Sequence, residues 1–192
     1  MTHRPSTDHG NVTASQVFGR TGRRRVVLVP YNSEWPRAFE RVRDEITCAL
    51  GEVALDVHHI GSTSVPGLLA KAVIDVVLVV VDVDAESAYL DRLVGCGYNF
   101  RRREPGHRLF RSPDLDVNIH VLQAGDPAIA AHLVFRDHLR RDSTDRERYG
   151  RLKTELARRE WDGMNAYADA KSEFIQEVLT RHGATVEGKG TQ

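Results

Sequence analysis

Hydrophobic and polar positions along the chain predict alternating helices and strands in its first two thirds. Residues 26–29 are predicted as a short strand or an extended entry, and apolar residues then recur at helical spacing over residues 33–50 until Gly51 ends the pattern. A short apolar segment at residues 53–60 predicts another strand. The strand after it, residues 73–81, is an almost continuous β-branched run, the composition of a strand buried on both faces of a sheet.

The rest of the chain continues with mixed elements and ends in helices alone. Up to Asp126 the pattern predicts a surface helix, a hairpin and a further strand, over residues 84–94, 98–111 and 115–122. From Asp126 onward the apolar period is 3.6, which predicts three helices over residues 126–140, 143–160 and 163–181. We therefore predict an α/β fold, more specifically α+β, with a mixed sheet flanked by helices and a C-terminal three-helix bundle.

Composition divides the chain into four segments. Residues 1–24 are rich in Thr, Ser, Gly, His and Arg and poor in apolar residues, which predicts a disordered leader. Residues 25–124 hold the sheet, and residues 125–183 hold the helical bundle that packs on it. Residues 184–192 have the composition of a flexible tail.

Charge and hydropathy narrow the class of protein. The 27 basic and 27 acidic residues balance, so no large positive field favours a nucleic-acid partner. Cys48 and Cys96 lack metal-ligand spacing and are typical of reduced thiols. The chain has neither an apolar stretch long enough for a membrane helix nor a secretory signal at its start. We expect a cytoplasmic protein without a membrane partner.

Two neighbouring features carry the candidate chemistry. Gly61 and Ser62 stand where the strand at residues 53–60 gives way to a loop, and such small residues bring backbone N–H groups close to a phosphate. Asp75 interrupts the buried β-branched run. Because an unpaired buried carboxylate is costly, Asp75 must reach the strand edge, a partner cation or a bound metal.

These features resemble a known family. A Gly-Ser turn after one strand and an aspartate on the next is similar to the signature of the DNA polymerase β-like nucleotidyltransferase superfamily. More narrowly, residues 59–68 with Lys71 and Asp75 resemble the GrpB-like family of predicted nucleotidyltransferases, and similar segments extend over residues 25–182. The resemblance implies a nucleotidyltransferase-like sheet in which Gly61, Ser62 and Thr63 cradle ATP or another nucleoside triphosphate, while Asp75 holds a divalent metal.

The sequence departs from that superfamily at the metal ligands. Two carboxylates that share ions on a strand stand at positions i and i+2, but the residue two after Asp75 is Val77. A site of Asp75 with His120, or with His59, can hold one ion: Mg2+, Mn2+ or the Zn2+ that imidazole favours. We predict His59 and His120 as catalytic residues beside Asp75. The alternatives are structural histidines and a lost metal site.

Further cations are candidates for phosphate binding. Lys71 precedes the buried strand, Arg136 and Arg140 lie one helical turn apart, and Lys171 follows Tyr167 at the same spacing. Each has an ordinary alternative: a solvated loop lysine for Lys71, intrahelical ion pairs for the arginines, and helix packing for Tyr167 and Lys171.

Three functions remain open from the sequence. The first is transfer of a nucleotidyl group to a small-molecule acceptor; a carboxylate acceptor would give an acyl adenylate for amide ligation. The second is a non-catalytic nucleotide- or anion-binding module. The third is a folding-accessory or interaction domain, since the resembled family also occurs fused to a coenzyme A biosynthetic kinase. The sequence lacks the motifs of serine hydrolases, P-loop kinases, zinc fingers and dinucleotide-binding folds.

Overall fold

A computed structural model describes residues 25–114, 116–161 and 164–184, and the predicted leader and nearly all of the predicted tail lie outside these ranges. The helices and strands are, in chain order, α1 (Trp35–Leu50), β1 (Asp56–Ile60), β2 (Ile74–Val80), α2 (Leu90–Gly95), β3 (Asn99–Glu104), β4 (His107–Arg111), β5 (Val117–Gln123), α3 (Pro127–Arg141), α4 (Ser143–Ala157), α5 (Met164–Asp169) and α6 (Ser172–Arg181). None of these helices is long and apolar enough to cross a membrane.

The five strands form one mixed sheet in the order β1-β2-β5-β4-β3. Only the central pair, β2 with β5, is parallel, and the other three pairs are antiparallel. The register places Asp75 between Ile60 of β1 and Asn118 of β5. Because side chains alternate along a strand, these three residues share one face of the sheet. The mixed sheet with flanking helices confirms the predicted α+β class.

Both faces of the sheet are covered, as the β-branched composition of β2 predicts. On one face, buried residues of β2 such as Val76 and Leu78 pack against Ile46 of α1 and Leu93 of α2. On the face that carries Asp75, the buried side chains of β1, β2 and β5 pack against α3: Ile60, Val77, Val79 and Leu122 contact Ala128, Ile129 and Leu133. Helix α3 therefore covers this part of the face on which Asp75 lies.

Two of the C-terminal helices, α3 and α4, begin at aspartate caps. Asp126 accepts a hydrogen bond from the backbone N–H of Ala128 at 2.8 Å and caps α3. At the start of α4, Asp142 accepts from the N–H of Asp145 at 2.8 Å and caps the helix. The predicted third helix is two helices, α5 and α6, and Lys171 lies at their junction.

Two short predicted segments lie next to the sheet. Of the two forms predicted for residues 26–29, a short strand or an extended entry, the strand does not form, since Val29 makes only an isolated bridge with Ala70. The predicted helix over residues 84–94 is a 3-10 turn followed by the short α2. The reason is Tyr89, which is fully buried in a non-helical conformation and donates its hydroxyl hydrogen bond to the carbonyl of Val83.

Candidate functional site

Gly61 brings the loop after β1 against the carboxylate of Asp75. Its φ is 70°, and a Cβ atom placed there would lie 2.6 Å from Asp75 Oδ2 and 3.1 Å from its Cβ. Glycine alone combines that backbone conformation with so close an approach. On the other side of Asp75, Asn118 Nδ2 donates a hydrogen bond to Oδ1 at 2.7 Å. The predicted neighbours Gly61 and Asp75 therefore meet at one end of the sheet.

Three lysines converge beside this loop. Lys153 is 2% exposed, and its Nζ donates to Ser62 Oγ at 3.0 Å and to the carbonyl oxygen of Leu69. The Nζ atoms of Lys171 and Lys71 lie 4.6 and 5.7 Å from the ring centroid of Tyr167. These are all of the lysines in the described residues, and they come from the loop before β2, from α4 and from the α5–α6 junction.

The positive charge of the three lysines is not balanced by negative charge on the neighbouring groups. Burial is the main cause that lowers the pKa of all three ammonium groups, to about 7 for Lys153 and to about 8 for Lys171. Repulsion within the cluster lowers the pKa values of Lys153 and Lys171 further. Asp75 opposes the shift at Lys71 and Lys171. Since desolvated like charges are stabilised by an opposite charge, the cluster is suited to bind an anion.

A buried hydroxyl group adds to this cluster. Tyr167 is 1% exposed, and among the described residues its Oη has no hydrogen-bond partner. A buried polar group without a partner costs about 1–3 kcal/mol, which a ligand oxygen in hydrogen-bond reach would offset. Tyr149 is also buried, and Lys153 Nζ lies 5.1 Å from its ring centroid. The walls around the cluster are thus aromatic.

The residues around Asp75 do not fit two metal ions. Val77, at the position that a second carboxylate would need, is fully buried in the apolar core, and Asn118 is an amide. One carboxylate does fit a single Mg2+, which is commonly bound by one or two carboxylates together with substrate phosphates. In the described part of the chain, the preformed group of possible ligands is His138, Asp142 and Asp145. In that group both carboxylate oxygens of Asp145 already accept hydrogen bonds, from His138 and from two arginines.

His120 lies on the face that carries Asp75, where the register pairs it directly with Val77. Its Nδ1 lies 3.0 Å from Nε2 of His107. Burial first, and then the neighbouring His107 and His132, lower the pKa of His120 to about 3. The ring is therefore neutral at physiological pH.

The structure does not bring His59 to the Asp75 face. His59 pairs with Val76, so strand alternation directs its ring to the opposite face, where it stacks on Phe39 with centroids 4.7 Å apart. Burial lowers its pKa to about 4, and its Nε2 lies 3.1 Å from Thr63 Oγ1. Thr63 is itself buried and donates to the carbonyl of Val73 at 3.0 Å. The side chains of His59 and Thr63 therefore stabilise the conformation of the loop.

The two arginines of α3 bind the backbone near the end of β1 and in the loop that follows it. Arg136 Nη1 donates to the carbonyl of His59 at 3.0 Å, and Arg140 Nε donates to that of Ser64 at 2.9 Å. Both line a cleft of about 300 Å³ with Tyr31 and Phe39, and none of the three lysines lines it. The structure therefore separates the predicted arginines from Lys71 and Lys171.

Sequence reasoning missed Lys153, which donates a hydrogen bond to Ser62 in the loop after β1. A signal was available, because only four of the 27 basic residues are lysines: Lys71, Lys153, Lys171 and Lys189. A chain that uses arginine at nearly every basic position keeps lysine at three positions that the fold brings together. An ammonium group is a compact point charge whose pKa shifts readily on burial, whereas a guanidinium group is a larger planar fork that stays charged.

Known proteins resemble this chain in sequence and in fold. The model of the GrpB protein family matches residues 25–181. A UPF0157 protein of Streptomyces coelicolor is 44% identical over 184 residues, which cover 96% of this chain and 98% of the relative. The crystal structure of conserved protein GrpB from Enterococcus faecalis is 30% identical and covers 82% of this chain and 99% of its own, with a TM-score of 0.72.

A more distant likeness concerns the fold alone. The structure of a cytoplasmic RNA terminal U-transferase matches 68% of this chain and 42% of its own length, with a TM-score of 0.50 and 15% identity. The sheet and its flanking helices thus share the fold of part of that transferase.

Proposed function

The chain belongs to the GrpB family, and from that membership and the geometry of the site we propose that it binds a nucleoside triphosphate and transfers its nucleotidyl group to a small-molecule acceptor. The observation that carries the proposal is the cluster of Lys71, Lys153 and Lys171, in which Lys153 binds Ser62 and the other two lie over the ring of Tyr167. A triphosphate supplies several negative charges in a compact group. It would therefore stabilise three desolvated ammonium groups, of which Asp75 compensates only Lys71 and Lys171.

Each residue of the site has a role in this proposal. The backbone at Gly61 and the Ser62 hydroxyl contact phosphate oxygens, and the lysines and the free Tyr167 hydroxyl bind the same group. Asp75 would hold one divalent ion, Mg2+ or Mn2+, which neutralises charge on the phosphates when bound. As the acceptor attacks the α-phosphorus and pyrophosphate leaves, the lysines stabilise the charge that develops on the leaving group.

A non-catalytic nucleotide-binding module is the second candidate, and Val77 favours it. A buried valine cannot replace a metal-binding carboxylate, so a two-ion reaction has lost part of its machinery. Binding and catalysis are separated by pyrophosphate release, which only the transferase gives. An interaction domain without a nucleotide site would show neither binding nor release.

Thermal unfolding with nucleotides tests the proposal. ATP, GTP, CTP or UTP, each with Mg2+ or Mn2+, is expected to raise the melting temperature by mass action, and inorganic tripolyphosphate serves as a probe of the phosphate site. The Lys153→Met variant should lose most of this response. Arg151→Met, which removes an exposed cation two residues away on α4, is the matched control and should keep it. The absence of any shift with all four nucleotides and with tripolyphosphate would overturn the proposal.

A further inference from the structure

A small cavity lies between the loop after β1 and the C-terminal helices. It measures about 120 Å³, and its walls come from that loop, from α3, from α4 and from α6. The apolar side chains that line it are Val65, Phe135, Leu139, Tyr149 and Ile175. Native cores contain few voids larger than a water molecule, so an apolar cavity of this size beside a candidate site favours a ligand with an apolar part.

The cavity has a closed end and an open end. Val65, Leu139 and Tyr149 are buried, so they form its closed end. Gly61 and His132 also line the cavity but are exposed to solvent, and they therefore mark its mouth. A ligand that enters at the mouth would place an apolar group inside and keep a polar end in the solvated part near Gly61.

The mouth adjoins the proposed nucleotide site. The backbone of Gly61 lies against the Asp75 carboxylate, where a Cβ atom on Gly61 would be 2.6 Å from Oδ2. Ser62 lines the cavity and accepts the hydrogen bond of Lys153. Tyr149 also belongs to both, since Lys153 Nζ lies 5.1 Å from its ring centroid. A phosphate bound by Lys153 and a ligand in the cavity would therefore both lie beside Ser62.

We infer that the cavity binds the apolar part of the acceptor. The acceptor is then a small molecule that carries an aliphatic or aromatic group of about four to six carbons next to its reacting oxygen. The inference rests on the proposed nucleotidyl transfer and names the class of its acceptor. A cavity of about 150 Å³ in another protein binds benzene, and this cavity is only slightly smaller.

The transfer balances for a hydroxyl and for a carboxylate acceptor. In both, the acceptor oxygen bonds to the α-phosphorus as the bond to the departing pyrophosphate breaks. A hydroxyl acceptor releases its proton to water, whereas a carboxylate is already ionised at neutral pH. The cavity selects the group attached to the reacting oxygen, which both kinds of acceptor share.

The base of the nucleotide is the competing occupant of the cavity. The edges of a base carry N–H, carbonyl and ring nitrogen groups that need hydrogen-bond partners when they are buried. Val65 and Leu139, at the closed end, have no polar side-chain atoms to provide them. A hydrocarbon group has no such requirement, so the apolar part of an acceptor fits the closed end better than a base does.

Methyl NMR tests the cavity without any nucleotide. Benzyl alcohol and benzoate are the aromatic probes, and ethanol and acetate carry the same reacting groups without the ring. The aromatic probes are expected to cause saturable shifts in the methyl signals of Val65, Leu139 and Ile175. Ile129 is the internal reference, because it is half-buried on α3 and packs against the sheet. Its signals should not move. The absence of saturable shifts at the three cavity residues would overturn the inference.

Filling and enlarging the cavity should have opposite effects. Ile175→Phe adds volume inside it and should abolish binding of the aromatic probes. Ile129→Phe makes the same change at a half-buried isoleucine that packs against the sheet, and it should leave binding unchanged. Ile175→Ala should admit 2-naphthylmethanol, which the wild-type cavity is too small to hold. Stabilisation by tripolyphosphate shows that each variant is folded. Unchanged probe binding in Ile175→Phe would place the probes elsewhere and contradict the inference.

Pyrophosphate release from ATP tests whether the ligand of the cavity is the acceptor. We expect kcat/KM for benzyl alcohol to exceed that for ethanol, or kcat/KM for benzoate to exceed that for acetate, by at least about tenfold. One methylene in an apolar pocket already gives about 10- to 200-fold. Ile175→Phe should lose this preference and Ile129→Phe should keep it. The pair that responds identifies the reacting oxygen, and equal rates within both pairs would refute an apolar acceptor.

The two proposals fail in different ways. If the aromatic probes bind but neither ATP nor tripolyphosphate stabilises the wild-type protein, the nucleotide site is wrong and the cavity remains a binding site. If ATP shifts the cavity methyl signals and tripolyphosphate does not, the base occupies the cavity and only the present inference is overturned. If ATP binds and no probe releases pyrophosphate, the ligand of the cavity is not an acceptor.

Discussion

At the scale of single residues, the site depends on a glycine that no other residue can replace. Gly61 and Gly67 both have positive φ, 70° and 77°, and both flank the same loop. A Cβ at Gly67 would meet nothing within 4 Å, whereas at Gly61 it would meet the Asp75 carboxylate. The two positions therefore separate the cost of the backbone conformation from the cost of the close approach.

We expect Gly61→Ala to destabilise the protein more than Gly67→Ala. Both variants lose about 1–2 kcal/mol because alanine is disfavoured at positive φ. Only Gly61→Ala also displaces Asp75 from its hydrogen bond with Asn118, so it should lower nucleotide-induced stabilisation as well. Urea denaturation with and without ATP measures both effects. Equal losses and equal responses to ATP in the two variants would show that the approach to Asp75 is unimportant.

The histidines show where residue-level prediction ends. Sequence alternation establishes that His58 and His59 point to opposite faces, but it does not say which of them faces Asp75. That choice depends on the register between β1 and β2, which pairs Asp75 with Ile60 and so turns His59 away. Lys153 was missed for a related reason, since nothing local to α4 indicates that the sheet loop lies against it.

At the scale of elements, strong periodicity predicted most of the fold. The β-branched run of β2 and the 3.6 period of α3 and α4 are long signals that packing reinforces. The break between α5 and α6 was not predicted, because no proline or glycine marks residues 170–171. The break places Lys171 over the ring of Tyr167, so the unpredicted irregularity belongs to the site.

One buried carboxylate joins three of the C-terminal helices. Asp145 of α4 is 3% exposed and accepts hydrogen bonds from His138 of α3, Arg148 of α4 and Arg181 of α6, at 2.8, 2.7 and 2.6 Å. Burial raises the pKa of Asp145, but these three donors outweigh burial and hold the pKa well below its usual range. The carboxylate is therefore ionised in the folded protein.

Asp145→Ala is expected to lower the free energy of unfolding by about 2 kcal/mol, because it leaves three donors without their acceptor. The loss stays moderate since both arginine side chains are more than 40% exposed to water. Glu147→Ala on the same helix is the control. Its carboxylate is 71% exposed and 3.8 Å from Arg151, so its removal should change stability by less than about 0.5 kcal/mol. Urea denaturation of both variants decides whether Asp145 joins the helices.

At the scale of the whole molecule, the lysine cluster should make stability depend on pH on the alkaline side. The folded protein lowers the pKa of Lys153 to about 7 and that of Lys171 to about 8, from an ordinary value of 10.5. Above about pH 7 the unfolded chain therefore binds more protons than the folded one. By proton linkage, the free energy of unfolding then rises with pH, by at most about 1.4 kcal/mol per pH unit for each lysine.

Denaturation of the ligand-free protein at pH 7, 8 and 9 should accordingly show a free energy of unfolding that increases with pH. The Lys153→Met variant should show a smaller increase, because it lacks the contribution of Lys153. The control Arg151→Met should show the same increase as the wild type. A bound triphosphate reverses the linkage, because its negative charge favours the protonated ammonium groups and binding takes up protons. Affinity for tripolyphosphate should thus fall as pH rises from 7 to 9, which titration calorimetry in buffers of different ionisation enthalpy measures directly. A flat stability profile together with a pH-independent affinity would mean that the lysines are ordinary solvated cations and that the anion binds elsewhere.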